Sequence, residues 1–299
     1  MTDEQQGPDE NEQSTIDLSR RDFVALSLSA GLVAAASSLT SAAQLSVAEL
    51  NVDVMTPDGL CDGVFIHPTT GSHPAVLIWP DAFGLRPAMR EIGKRIAAEG
   101  FSVLVPNPFY RATKAPALDM NSFSFQNSAD MARLQKLMGG VTAPGAAERD
   151  AAAFIAFLDA QKQVNRMKKI GTQGYCMGGA LVMRTAAAVP DRVGAGASFH
   201  GGGLVTDQPT SPHLLVPKMK ARIYIGIAAN DDQRQPAAKD TLREAFNAAK
   251  VPAEIEVYPS LHGWCVPDMP AEAGKPIYNK PDAEKAWAKL VALYKAALA

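Results

Sequence analysis

The 299-residue chain predicts a single α/β domain, a mainly parallel sheet with helices on both faces, behind an N-terminal segment that stands apart from it. Runs such as "PAVLIWP" (74–80) and "ARIYIGIAA" (221–229) are apolar throughout rather than alternating, as strands covered on both faces are. Stretches with apolar residues at helical spacing separate these runs, so strand and helix alternate. No linker divides residues 44–299.

The elements follow in order. Met1–Leu18 is polar and acidic with no lysine or arginine, a composition that predicts disorder. Arg20-Arg21 and Phe23 then precede an apolar run from Val24 to Leu39 that carries serines and Gly31. That run is shorter than the roughly 20 residues a membrane span needs, so stable membrane insertion is not expected. Residues 1–43 read as a disordered leader and signal peptide, and the pattern Ser-Arg-Arg-x-Phe resembles the twin-arginine type. Cleavage after Ser41-Ala42-Ala43 would leave residues 44–299. Such a signal implies the twin-arginine export machinery as a partner of the precursor, and a periplasmic or secreted enzyme.

In the mature chain, "VAELNVDVM" and "CDGVFIHP" flank a turn at Asp58-Gly59 and predict a hairpin. "PAVLIWP" is the next strand, and Pro87–Glu99 a helix carrying Met89, Ile92 and Ile96 on one face before Gly100. "FSVLVPNP" is again a buried strand. Residues 107–144 are irregular apart from a helical piece near Ala129–Met138, long enough to form a cap over a site. Ala151, Phe154, Ile155 and Leu158 stripe a helix, "KKIGTQGY" is a strand, and "VGAGASFHG" and "ARIYIGIAA" are two more. Leu242, Ala245, Phe246 and Ala249 mark a helix, "AEIEVYP" the last strand, and Trp287, Leu290, Val291 and Tyr294 the inner face of the last helix.

Bulk composition narrows the function. Lys and Arg number 29 against 31 Asp and Glu, a net charge of −2 that gives no reason to expect nucleic acid as a partner. Three cysteines make no disulfide framework, and no C-x-x-C or His-rich metal spacing appears.

The chemistry concentrates at "GYCMGG" (174–179), between a strand and a helix. Cys176 falls at the carboxyl end of a strand, where ligands bind on such sheets. A nucleophile on so tight a corner has strained dihedrals and needs glycine two positions to either side, here Gly174 and Gly178. The helix N-terminus beyond it favours a thiolate and an oxyanion. Alone, this pattern also fits a buried structural cysteine. Chain order strengthens the catalytic reading: Asp231 and Asp232 follow the strand "IYIGIAAN", and His262 follows the last strand in "YPSLHGW". His262 is the candidate general base, and an aspartate would hold its tautomer. Asp231, nearer the strand end, is favoured over Asp232.

"GYCMGG", "YPSLHGW", "PDAFGLRPAM" and "VPNPFYR" resemble the dienelactone hydrolase family of the α/β-hydrolase fold, from about Asn51 to the C-terminus. The resemblance implies hydrolysis of an ester or lactone, typically one carrying a carboxylate, through an acyl-enzyme on Cys176, with no cofactor or metal. It places the oxyanion hole at the N–H groups of Met177 and Ala82. Asp81 stands where the family has a glutamate that interacts with the resting cysteine, and Arg111 where it has an arginine for the substrate carboxylate. A second family arginine, shortly after the histidine, is absent; Val266 lies there.

"HGGG" (200–203) imitates an oxyanion loop but comes after the wrong strand. His200, a candidate substrate-binding residue, and His213 line or close the cleft, and either is alternatively only structural. Cys61 and Cys265 are open to pairing or to remaining buried thiols. The expected function is hydrolysis of a lactone or small carboxylic ester by Cys176, His262 and Asp231. The alternatives are a broad-specificity carboxylesterase and a non-catalytic small-molecule binder on the same scaffold.

Overall fold

Burial of both faces of a sheet requires side chains of alternating direction to find two separate cores, and the third strand shows this directly. In the computed structural model, which describes residues 45–298 apart from 121, 272 and 273, β3 (Ala75–Trp79) is buried at every position. Ala75, Leu77 and Trp79 enter one core, Val76 and Ile78 the other. Each such side chain taken out of water contributes about 1.5–3 kcal/mol. The disordered leader and signal peptide read over residues 1–43 lie outside the described residues.

The hairpin forms as β1 (Val47–Thr56) and β2 (Gly59–Pro68), antiparallel, with Thr56 opposite Gly59. β2 pairs antiparallel with β4 (Ser102–Pro106), and from there every pairing is parallel. With β5 (Ile170–Tyr175), β6 (Val193–Phe199), β7 (Arg222–Ala228) and β8 (Ala253–Tyr258), the sheet runs β1-β2-β4-β3-β5-β6-β7-β8. The chain turns back between β4 and β5 across β3, and β5 lies near the middle of this single α/β domain.

Helix α1 (Pro87–Ala98) opens with proline at its first position, where no N–H is needed, and buries Met89 and Ile96. It covers one face with α7 (Lys280–Leu298). On α7 the buried stripe is Ala283, Ala286, Leu290 and Tyr294; Val291 is outside it, and Trp287 is half-buried beneath the Arg95 guanidinium, 3.9 Å from its ring centre. The other face is covered by α3 (Ala146–Ala160), α4 (Met177–Ala188) and α6 (Ala238–Ala249).

The predicted helical piece in the cap is longer than its apolar spacing suggests. Helix α2 spans Ser128–Thr142, starting where the Asn127 side chain accepts from the N–H groups of Ala129 and Asp130. It runs through Gly139-Gly140, each costing about 1 kcal/mol in a helix, because Leu134, Leu137 and Val141 are buried along one side. A six-residue helix, α5 (Ala229–Arg234), follows β7.

Candidate active site

The corner between β5 and α4 is as tight as its glycines suggest. Cys176 has φ 51° and ψ −114°, a left-handed backbone that only surrounding structure can impose on a side-chain-bearing residue. A Cβ on Gly174 would fall inside the Gly178 carbonyl, and one on Gly178 would lie 2.7 Å from the Pro80 carbonyl oxygen. The start of α4 therefore presses against the loop after β3. That brings Met177, whose N–H opens the helix and has no intrahelical acceptor, up to the loop that carries Ala82.

The corner is pinned from behind by the end of β6. The N–H of Cys176 donates to the Phe199 carbonyl (3.1 Å) and to His200 Nδ1 (3.1 Å), and its carbonyl accepts from Gly179 and Gly202. A Cβ on Gly179 would sit 2.5 Å from the Gly201 Cα. The "HGGG" stretch thus serves close packing behind the corner.

His262 enters from the loop after β8. Its backbone N–H donates to Asn230 Oδ1 (2.9 Å), and its Nδ1 is 2.6 Å from Asp231 Oδ2. Burial works to lower its pKa, but the hydrogen bonds to Asp231 and Cys176 outweigh this and push it up to about 10. The structure thus brings Cys176, His262 and Asp231 together. Asp232, one residue further along α5, is turned to Lys239, with 2.8 Å from each carboxylate oxygen to Nζ.

Four other residues singled out in the sequence have these surroundings. His200 is fully buried and cannot touch a substrate in this structure; its ring packs edge-on 4.9 Å from that of His262 and 5.1 Å from Trp264. Burial, then the neighbouring His262, lowers its pKa well below the usual histidine range, so it is a neutral acceptor for the Cys176 N–H. His213, partly buried, has its Nδ1 2.7 Å from Ser211 Oγ. Arg111 makes two bonds to Asp150 (2.7 and 2.8 Å) and is 2.6 Å from Asp58. Asp81 is fully buried and answers Arg86 through both oxygens (2.7 and 2.9 Å) while accepting from the Phe83 N–H.

Arg86 is the residue that sequence reasoning missed. It forks onto Asp81 on one side and onto Asp268 on the other (2.8 and 2.9 Å), tying the loop after β3 to the loop after His262. Its only sequence signal was an arginine five residues beyond a predicted site acid. Cys61 and Cys265 are unpaired, and burial raises the pKa of both thiols. Among the described residues, no group of three or more His, Cys, Asp or Glu could hold a metal ion, and no helix is long and apolar enough to cross a membrane.

A strained strand-to-helix corner, an acid after β7 and a histidine after β8 on this sheet define an enzyme of the α/β-hydrolase fold. Residues 61–298 match the model of the dienelactone hydrolase family, and the chain belongs to that family. It is 26% identical over 212 residues to the carboxymethylenebutenolidase of Rhodococcus opacus, covering 68% of this chain and 77% of the relative. A Methylorubrum extorquens protein provisionally named carboxymethylenebutenolidase is 26% identical over 289 residues, 91% of each chain. Among solved structures, a dienelactone hydrolase-like promiscuous phosphotriesterase from metagenomic libraries superposes with a TM-score of 0.70 at 22% identity, over 85% of this chain and 100% of that one. The protein is a hydrolase of the carboxymethylenebutenolidase-like family.

Proposed function

We propose that the protein hydrolyses a lactone or small carboxylic ester through an acyl-enzyme on Cys176. The observation that carries this reading is the line of contacts from Asp231 through His262 to Cys176 on the strained corner. Cys176 gives its proton to His262 and attacks the carbonyl carbon as a thiolate; the raised pKa of His262, to which Cys176 itself contributes, holds the imidazolium in place through neutral pH. The tetrahedral oxyanion accepts from the N–H groups of Met177 and Ala82. Its collapse breaks the ester C–O bond, and the departing alkoxide takes the proton from His262. Water then attacks the thioester while His262 accepts a water proton, and the returned proton releases the thiol and a carboxylic acid. Asp231 holds the imidazole in the required tautomer throughout.

The mature protein should turn over alkyl esters and unsaturated lactones, with kcat/KM falling above about pH 10 as His262 loses the proton that the alkoxide needs. The sign follows from the direction of the shift: a raised pKa keeps the imidazolium present at neutrality and loses it only on the alkaline side. Failure to hydrolyse any member of such a panel contradicts the reading.

The mature protein would act outside the cytoplasm, its precursor exported by the machinery that reads Arg20-Arg21. With Arg20→Lys and Arg21→Lys together, the precursor should stay in the cytoplasm. Unchanged periplasmic delivery would refute twin-arginine export.

A further inference from the structure

Three phenylalanine rings stand beside the loop that supplies one oxyanion donor. Phe83 directly follows Ala82, and its ring packs edge-on against Phe123 (5.1 Å between centres) and Phe125 (5.9 Å), which are 5.0 Å from each other. Phe123 and Phe125 belong to the irregular segment before α2, so that segment lies directly on the loop after β3. Phe83 is buried, whereas Phe125 remains 50% exposed. A large aromatic left half in water, clustered with the residue next to Ala82, offers an apolar surface to whatever occupies the centre.

Charge near the site points the same way. Arg86 is buried between two carboxylates, Asp81 and Asp268. Arg111 and Arg149 share Asp58, and Arg111 also holds Asp150, so two cations answer two anions. Arg133, on α2, donates to the Ala117 carbonyl and borders a cleft of about 620 Å³ that also holds Asp119 and Asp268. These groups hold four guanidiniums and five carboxylates, so an anionic acyl group beside them would lose its hydration for no net attraction.

We infer that the acyl group accepted at this site is neutral and aromatic, and that Phe123 and Phe125, backed by the buried Phe83, form the wall on which it packs. The inference rests on the hydrolytic reading of Cys176 above, and separates this chain from relatives that take carboxylated lactones.

The test uses three esters with one leaving group: p-nitrophenyl benzoate, its 4-carboxylate analogue, and p-nitrophenyl acetate. Their kcat/KM values are each divided by the rate of spontaneous hydrolysis. Benzoate should exceed both others by about tenfold or more. Replacing Phe123 and Phe125 together by alanine should cut the benzoate-to-acetate ratio by about tenfold. Phe125→Arg, at a half-exposed position, should raise the ratio of carboxylated to neutral ester. Equal or faster turnover of the carboxylated ester by the wild type, or an unchanged benzoate-to-acetate ratio in the double variant, overturns the inference alone. A wild type that hydrolyses none of the three overturns the hydrolytic reading, and this inference with it.

Discussion

Cys176→Ala is expected to reduce ester hydrolysis to background while the protein stays folded. Loss of the nucleophile in comparable triads costs on the order of 10⁶ in kcat. The fold should survive because the corner is held by backbone groups: the N–H of residue 176 still donates to Phe199 and His200, and Gly174 and Gly178 still make room for the turn. Thermal unfolding should therefore shift little. Cys176→Ser should be far weaker than the wild type, since a hydroxyl is much harder to deprotonate than a thiol of pKa about 8.5. Iodoacetamide should inactivate the wild type by modifying Cys176, because burial keeps the thiols of Cys61 and Cys265 protonated. Full activity in the alanine variant would exclude the mechanism.

Asp231→Asn should lower kcat/KM by up to about 10⁴-fold, the cost of a misplaced tautomer in the best-studied triad. Asparagine can occupy the same space 2.6 Å from His262 Nδ1, but it can present its amide as a donor where the imidazole N–H needs an acceptor. It also removes the negative charge that helps to raise the His262 pKa, so the alkaline limb should move below pH 10. Asp232→Asn removes only a partly exposed ion pair with Lys239, worth at most about 1 kcal/mol of stability, and should leave kcat/KM within about twofold. A large defect in the Asp232 variant alone would reassign the acid.

These two aspartates show what could be read from sequence and what could not. Chain order pointed to Asp231 or Asp232, because an acid after the strand "IYIGIAAN" precedes a histidine after the last strand, and nearness to the strand end favoured Asp231. The helix that aims Asp231 and Asp232 apart, α5, was invisible, since six residues carry no apolar period. Parallel strands such as β3 were legible because burial on both faces leaves an uninterrupted apolar run. The corner was legible because two glycines are forced by contact with Gly178 and with the Pro80 carbonyl. By contrast, Arg86 and Asp268 are 182 positions apart, and no local pattern records a pairing made only when two loops converge. His200 was read from the "HGGG" stretch and Arg111 from the family resemblance of "VPNPFYR". Their actual surroundings, the buried end of β6 and a pair of aspartates, exist only in the folded chain.

The central claim is that a covalent acyl group passes through Cys176. Quenching the mature protein during turnover of p-nitrophenyl benzoate, followed by intact-mass and peptide mass spectrometry, tests it most directly. The account predicts a benzoyl adduct on the peptide carrying Cys176, released by hydroxylamine at neutral pH as a thioester is. A benzoyl group that forms and decays at the turnover rate on any other side chain would contradict it.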